Sequence, residues 1–299
     1  MQFMLQYPDL HGTDADLLDA GSVTDVAVAA ERAGFAGMSF TEHPMPGARW
    51  LEAGGHQTLD PFVALAAAAA VTSRLRLLTY LAVLPYRNPF LLAKAAATVD
   101  KISDGRFVLG AGTGYLKTEF HALGVSFDER NELFDEALDA LALHWKGEPF
   151  SFTGKHFAAR DVIARPRPVQ DPIPLWIGGN AKLTLRRVAE RAQGWMPLTG
   201  PAEMATTTRT PHLDSIESIG ERLSVLQDLA GDRFESLDIA VPYLDITHEN
   251  VDTEVERHRD ALGRIAALGA TWVVIAAPWG VQPATVEFID TFAANFLNG

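Results

Sequence analysis

Pro174-Leu-Trp-Ile-Gly-Gly-Asn180, running straight into Ala181-Lys-Leu-Thr-Leu-Arg-Arg-Val-Ala-Glu-Arg-Ala192, decides how the rest of the chain is read. An apolar run too short for a helix meets two glycines, and apolar residues then recur at helical spacing. The unit is strand, turn, helix. Two small residues before a helix start leave several backbone N–H groups uncovered and pointing one way, where the positive end of the helix dipole favours an anion. Gly178-Gly179 is also compatible with a plain tight turn, and on this segment alone both readings stand.

The same unit recurs outward in both directions. Strands are predicted at Gln2–Tyr7, Phe35–Thr41, Leu75–Val83, Arg106–Gly110, Pro174–Ile177, Gly194–Pro197, Leu237–Pro242 and Thr271–Ala276. Helices are predicted between them at Val23–Ala33, Pro61–Ser73, Pro89–Ile102, Asp128–Trp145, Ala181–Ala192, Ile216–Leu229, Glu254–Leu268 and Ala284–Phe296. This alternation predicts an α/β fold, a TIM (β/α)8 barrel, in a single domain over residues 1–299. A doubly wound open sheet is the alternative. Against a dinucleotide-binding version of it, Tyr7-Pro-Asp-Leu-His-Gly12 stands where a G-x-G-x-x-G would follow the first strand. Two segments break the rhythm. Gly147–Gln170, with Phe150-Ser-Phe-Thr-Gly154 and Arg165-Pro-Arg-Pro168, reads as a small hairpin and a proline-stiffened connector, and Thr199–Asp214 reads as a long loop. Both are expected as insertions at the C-terminal face, where long loops often act as lids.

Composition bounds the function. The 299 residues, 47% of them hydrophobic, can bury a full core. With no cysteine there is no disulfide, thiolate nucleophile or cysteine-bound metal, which fits a reducing cytoplasm. Met1–Asp9 lacks the basic start and long apolar core of a signal peptide, and the longest apolar run, Pro61–Val71, is too short to span a bilayer. A cytoplasmic protein with no membrane partner is expected. The formal charge of −13, with Lys and Arg scattered, argues against a nucleic-acid surface. An anionic ligand must find a local positive spot, and the helix start at Gly178-Gly179, with Lys182, Arg186 and Arg187 inside it, is the best candidate.

In such a barrel the chemistry lies just past the C-terminal ends of the strands. The second strand ends in Thr41-Glu42-His43-Pro44, the fourth in Gly110-Ala-Gly-Thr-Gly-Tyr115 and the fifth in Gly178-Gly-Asn180. One polar end and two of open backbone suit a flat, phosphate-bearing cofactor better than hydrolysis. His43 is the candidate catalytic group, because histidine is the side chain whose protonation changes most readily near neutral pH, against a plain structural role. Strand alternation allows Glu42 or His43 to face the mouth, not readily both. Gly112, Thr113 and Gly114 can let a ring or phosphate approach the backbone, with Thr113 as a hydroxyl donor. Tyr115 and Glu119 either face the pocket or pack. Trp50 and Arg49 are candidates to cover a substrate. A metal-dependent hydrolase would need clustered ligands, whereas the nine histidines show no H-x-H or H-E-x-x-H, so no metal is expected. A glycosidase would need two strand-end carboxylates, and the fourth strand offers glycines and the seventh only Asp245.

These residues resemble the bacterial-luciferase-like flavin and deazaflavin oxidoreductases. The resemblance runs from about Met1 to Pro197 and more loosely through the last two strands. It rests on Ala30-Glu-Arg-Ala-Gly-Phe-Ala-Gly37 leading into Thr41-Glu-His43, on Pro85-Tyr-Arg-Asn-Pro-Phe-Leu-Leu-Ala-Lys94, and on Asp100-Lys-Ile-Ser-Asp-Gly-Arg-Phe-Val-Leu-Gly-Ala-Gly-Thr-Gly-Tyr115. Glu119-Phe120, Leu123-Gly124, Arg130, Arg165-Pro-Arg-Pro168, Pro174–Gly179 and Gly194-Trp195 add to it. The resemblance implies a cofactor ring in the barrel mouth with its phosphate near Gly178, Gly179 and Asn180. It implies a ring support at Tyr80-Leu81, in many members through a non-prolyl cis peptide, and a His at the place of His43 over the ring. The sequence looks most like the branch that uses coenzyme F420. Sugar-phosphate dehydrogenases of that branch carry an acidic residue where Tyr115 stands, which puts that substrate in doubt and leaves Tyr115 and Trp50 as substrate-binding candidates.

Three functions follow from these readings. The first is F420-dependent hydride transfer to or from a small organic substrate. The second is a monooxygenase using oxygen and FMNH2 from a separate partner reductase. The third is a non-catalytic flavin-binding protein. A homodimer is compatible with the apolar helices.

Overall fold

The computed structural model describes residues 1–11 and 15–297. Gly12, the last residue of the Tyr7–Gly12 stretch, and the last two residues of the expected 1–299 domain lie outside the described residues. The strands are β1 (Gln2–Gln6), β2 (Leu10–His11), β3 (Gly37–Phe40), β4 (His56–Gln57), β5 (Arg76–Thr79), β6 (Ala82–Val83), β7 (Phe107–Gly112), β8 (Pro149–Thr153), β9 (Ala158–Ile163), β10 (Leu175–Gly178), β11 (Gly194–Met196), β12 (Asp238–Tyr243) and β13 (Trp272–Ala276). The α-helices are α1 (Val23–Ala33), α2 (Ala48–Glu52), α3 (Pro61–Val71), α4 (Pro89–Ile102), α5 (Lys117–Ala122), α6 (Arg130–His144), α7 (Lys182–Arg191), α8 (Ala202–Thr208), α9 (Ile216–Ala230), α10 (Val255–Ala267) and α11 (Gln282–Phe296).

β1, β3, β5, β7, β10, β11, β12 and β13 pair in parallel around a ring that closes where β13 meets β1 and β7 meets β10, with Gln2 opposite Trp272 and Leu175 opposite Leu109. This is the expected eight-stranded TIM barrel. Its helices start where the sequence supplies caps. Asp60 accepts from the Phe62 and Val63 amides and Asn88 from the Phe90 amide, each with proline as the first helical residue, and Ser22 and Ser215 cap α1 and α9. Alternation along the strands makes two cores. Met4, Leu78, Val108, Trp176, Met196, Trp272 and Val274 fill the barrel, while Leu5, Leu77, Leu109, Ile177 and Val273 face helical residues such as Ala27, Leu65, Ala96 and Leu185.

Two expected elements differ. Leu75–Val83 is not one strand: β5 stops at Thr79, Tyr80 and Leu81 are joined by a cis peptide, and β6 re-enters the sheet against Ala111 and Gly112. The apolar run continues through this break because Leu81 is itself packed inward. Its side chain lies where a Cβ on Gly112 or Gly178 would stand, 2.9 and 2.6 Å away. Thr199–Asp214 is not wholly loop, because α8 lies within it. The hydroxyls of Thr206, Thr207 and Thr208 donate to the carbonyls four residues back, which is how a threonine-rich segment sustains a short helix. The hairpin expected in Gly147–Gln170 is β8–β9. It leaves the foot of α6, packs Phe150 and Phe152 near Phe90 at the start of α4, and brings its turn to the first turns of α6, where Glu136 accepts from the His156 and Phe157 amides. No helix among the described residues is long and apolar enough to cross a membrane.

Candidate active site

The polypeptide that leaves β1, β3 and β7 brings four polar side chains to one side of the barrel mouth. His43 follows β3, and its backbone is clasped by Thr58, whose Oγ1 accepts from the His43 amide at 2.8 Å. Beneath the imidazole lies Glu119 of α5, fully buried, with Oε2 3.3 Å from His43 Nδ1. The same carboxylate accepts from the Tyr86 hydroxyl at 2.6 Å and from the Met45 amide at 3.3 Å. On the far side of the ring, Tyr115 Oη stands 3.2 Å from His43 Nε2. The donor and acceptor inventory then assigns the protons: a carboxylate can only accept, so Nδ1 carries the hydrogen, and Nε2 is left to accept from Tyr115. The indole of Trp50, on α2, lies 4.6 Å from the imidazole centroid and His56 5.0 Å from it.

Burial sets the ionisation of the neighbours. Asp9, just beyond β1, accepts from Thr41 at 2.9 Å and from Gln6 at 2.5 Å, yet desolvation outweighs these bonds and raises its pKa to about 6. His56, 3.5 Å from Asp9, is pushed down to about 3 by burial and by the adjacent His43, so it stays neutral. Tyr115 and Tyr86 are pushed well above the usual phenol range, first by burial and then by Glu119, so both keep their hydrogens at neutral pH. Glu42 turns away from His43, as alternation requires. It is buried against Arg87 and accepts from the Val83 amide at 2.6 Å, and burial raises its pKa against the pull of Arg87.

Tyr115 also borders a cavity of about 140 Å³ beside the mouth, lined by Thr113, Gly114, Arg130, Arg209 and the first turn of α7. The donors that the sequence assigned to residues 178–180 are largely engaged elsewhere. The Gly179 amide donates to Met196 O, the Asn180 amide to Thr210 Oγ1, and the fully buried Asn180 side chain ties Leu198 and Pro211 together. The open donors lie one step on: no side chain caps α7, and the first amide bonded within it is that of Leu185. Gly179, at φ +115°, makes the left-handed bend that aims this turn at the cavity. Gly112 and Gly178 accommodate Leu81, so the room they make is filled by protein. Arg187, predicted at this helix start, is held by Asp135 at 2.7 Å, whereas Arg130 and Arg209 have no carboxylate within 4 Å among the described residues.

The structure thus brings His43, Trp50 and Tyr115 together over the mouth, places Tyr80 and Leu81 at its floor, and sets Thr113 and Gly114 on the cavity wall. Asp9, His56, Tyr86 and Arg209 escaped assignment from sequence. Tyr86 lies within the Pro85–Lys94 stretch, but the partners that place it and Asp9 in the network, Glu119 and Thr41, are far along the chain.

At the mouth of a parallel barrel, a buried acid–imidazole–phenol chain thus stands beside a cavity with two arginines that meet no carboxylate. Comparison with known proteins supplies the class. Residues 1–234 match the model of the luciferase-like monooxygenase family. An uncharacterized protein of Mycobacterium tuberculosis is 31% identical over 240 residues, covering 80% of this chain and 77% of that one. The F420-dependent glucose-6-phosphate dehydrogenase of Nakamurella multipartita is 32% identical over 222 residues, 72% of this chain and 63% of its own. The monooxygenase RslO1 from Streptomyces bottropensis has the same fold, with a TM-score of 0.77 at 23% identity over 99% of both chains. This chain belongs to the luciferase-like monooxygenase family, whose members are oxidoreductases working with a flavin or deazaflavin.

Proposed function

We propose that this chain transfers a hydride between coenzyme F420 and a small organic substrate at the barrel mouth. The observation that carries the reading is the chain Glu119–His43–Tyr115, which ends at the wall of the cationic cavity. Bound there, the deazaflavin supplies the hydride chemistry. Hydride delivery to a carbonyl carbon requires a proton to be placed at the oxygen, and hydride removal from a carbinol carbon requires the hydroxyl proton to be taken from it. His43 Nε2 and Tyr115 Oη are the groups positioned to hold that proton, and Glu119 compensates an imidazolium at His43. Trp50 lies against His43 with the two ring planes tilted by 43° and would help to cover it.

The residues fit a phosphate-bearing cofactor. The unpaired Arg130 guanidinium and the uncapped first turn of α7 face one cavity, and both suit a phosphate group. Thr113 would add a hydroxyl donor. The named activity of the Nakamurella relative supports F420 as the cofactor. Its sugar phosphate is not carried over, because Tyr115 stands where an acidic residue would serve that substrate.

The test is a titration of purified protein with F420 and with FMN, followed by fluorescence quenching and by oxygen uptake. F420 binding without oxygen uptake on reduction is the expected result. Tight FMN binding with oxygen consumption would replace this reading by the two-component monooxygenase.

A further inference from the structure

We propose that Asp9 is a further acid–base group of the barrel mouth, whose carboxyl meets the oxygen on the reacting carbon. It gives a hydrogen to a carbonyl and takes one from a carbinol, so that its protonation state selects which of the two binds. The proposal rests on the hydride-transfer reading above and adds a residue that the reading does not use.

The first observation is that Asp9 lacks a fixed counter-charge. Glu42 meets Arg87, and Glu119 accepts from Tyr86 and the Met45 amide and faces His43. Asp9 meets no Lys or Arg within 4 Å among the described residues. Cations of this face gather elsewhere: Arg130 Cζ, Arg209 Cζ and Lys117 Nζ lie 4.0, 4.7 and 5.2 Å from the centroid of Phe127. The two oxygens of Asp9 instead take one hydrogen each from neutral donors, Oδ1 from Thr41 at 2.9 Å and Oδ2 from Gln6 at 2.5 Å. An asparagine could bond both partners and would avoid the cost of desolvating a carboxylate, so tying these loops together does not account for the acid. What the carboxyl adds is a proton that comes and goes. Burial keeps that proton on up to about pH 6, close to where an acid–base group works best.

The second observation is placement. The strand order β1-β3-β5-β7 brings Asp9 to His43 from the β1 side and Tyr115 from the β7 side. The titratable groups around Asp9 are His11 on β2, His56 on β4, His43, Tyr80 and Tyr115. His56 stays neutral 3.5 Å from Asp9, with its ring 5.0 Å from that of His43. Burial holds the hydrogens on both phenols, and the nearby carboxylates reinforce it. The Asp9 side chain is 19% exposed at the C-terminal face, whereas that of Glu119 is fully sealed, so a small molecule in the mouth can reach Asp9 and not Glu119. When hydride from the reduced deazaflavin reaches a carbonyl carbon, the π electron pair moves to oxygen, which takes the proton of Asp9. A C–H and an O–H bond form, the deazaflavin is oxidised, and the carboxylate regains a proton from water. In the other direction the carboxylate takes the hydroxyl proton as hydride leaves the carbinol carbon. His43 and Tyr115 hold the same oxygen from their side.

The experiment measures dissociation constants of cyclohexanone and cyclohexanol by ligand-observed NMR at pH 5 and pH 7, with and without F420, for the unmodified protein, Asp9→Asn and Asp9→Glu. A carboxyl that loses its proton near 6 is mostly protonated at the lower pH and mostly ionised at the higher. The ketone should therefore weaken by up to about tenfold from pH 5 to pH 7 and the alcohol tighten by up to about tenfold. Asp9→Asn should flatten both slopes, and Asp9→Glu should restore their opposite signs. Slopes that persist in Asp9→Asn would assign them to His43 or His11 and overturn the proposal. Slopes of one sign for both probes, or no binding of either probe, would overturn it as well. F420 titration of the same samples decides the cofactor separately. Opposite slopes with no F420 bound would keep Asp9 and overturn the cofactor reading, and F420 binding with flat slopes would do the reverse.

Discussion

The two polar regions at the C-terminal face are built on opposite principles. In the mouth, nearly every charge has a partner: Glu119 takes hydrogens from Tyr86 and the Met45 amide and meets His43, and Glu42 is closed by Arg87 and the Val83 amide. Around Phe127, cations are collected and left without counter-charges. A matched network holds protons in fixed places, and an unmatched one is completed by a ligand. The same fold can therefore separate the group that reacts from the group that anchors.

Breaking the matched region should show the larger effects. His43→Ala should lower kcat by about 10²–10⁴, the range for a lost general acid or base, with the cofactor dissociation constant unchanged. If binding fell and turnover did not, the roles of the two regions would be reversed. Arg87→Ala should cost about 3–5 kcal/mol in chemical denaturation, because it strands the buried Glu42 carboxylate; a loss below about 1 kcal/mol would mean that water reaches Glu42.

Asp9 tests the same region by pH. Its unfolded carboxyl loses its proton near 3.8 and the folded one near 6, so the native state holds the extra proton between those values. Native stability therefore falls as pH rises from about 4 to 6 and stays lower above, by roughly 3 kcal/mol for two units. Asp9→Asn should restore about that much at pH 8 and nothing at pH 3.5, measured by urea unfolding at both. A variant equally stabilised at both values would locate the effect in packing.

The smallest effect belongs to the unmatched region. Arg130→Ala should weaken cofactor binding by about 10- to 100-fold, a charge-assisted bond of about 1.5–3 kcal/mol, and cost about 0.5–1.5 kcal/mol in unfolding, because the protein itself loses only the bond to Phe127 O and the contact with its ring. A large loss of stability would place Arg130 with the matched groups.

The barrel was legible because each strand is a short apolar run and each helix carries its period and caps, as at Asp60-Pro61 and Asn88-Pro89. The break at Tyr80-Leu81 was hidden by an unbroken apolar pattern, and α8 by threonines that satisfy themselves on their own helix. His43 and Tyr115 could be found because strand ends point to the mouth. Glu119, Tyr86 and Asp9 could not be given roles, since the partners that set their places in the network lie 32 to 76 residues away in the chain. Asn180 shows a second use for a polar residue at such a place. A polar residue before a helix resembles an anion donor, but here the amide spans two loops from a fully buried position.

Leu81 and the glycines around it set an order on how this mouth can be remodelled. While the leucine stands as it does, a methyl group on Gly178 or Gly112 would force its side chain to move. Once Leu81 is trimmed, either glycine is free to grow, and when one has grown the leucine cannot return. Depth at the floor of the mouth is thus inherited as a sequence of steps rather than as three independent choices, and descendants of this barrel that differ at one of these positions should carry the trace of the other.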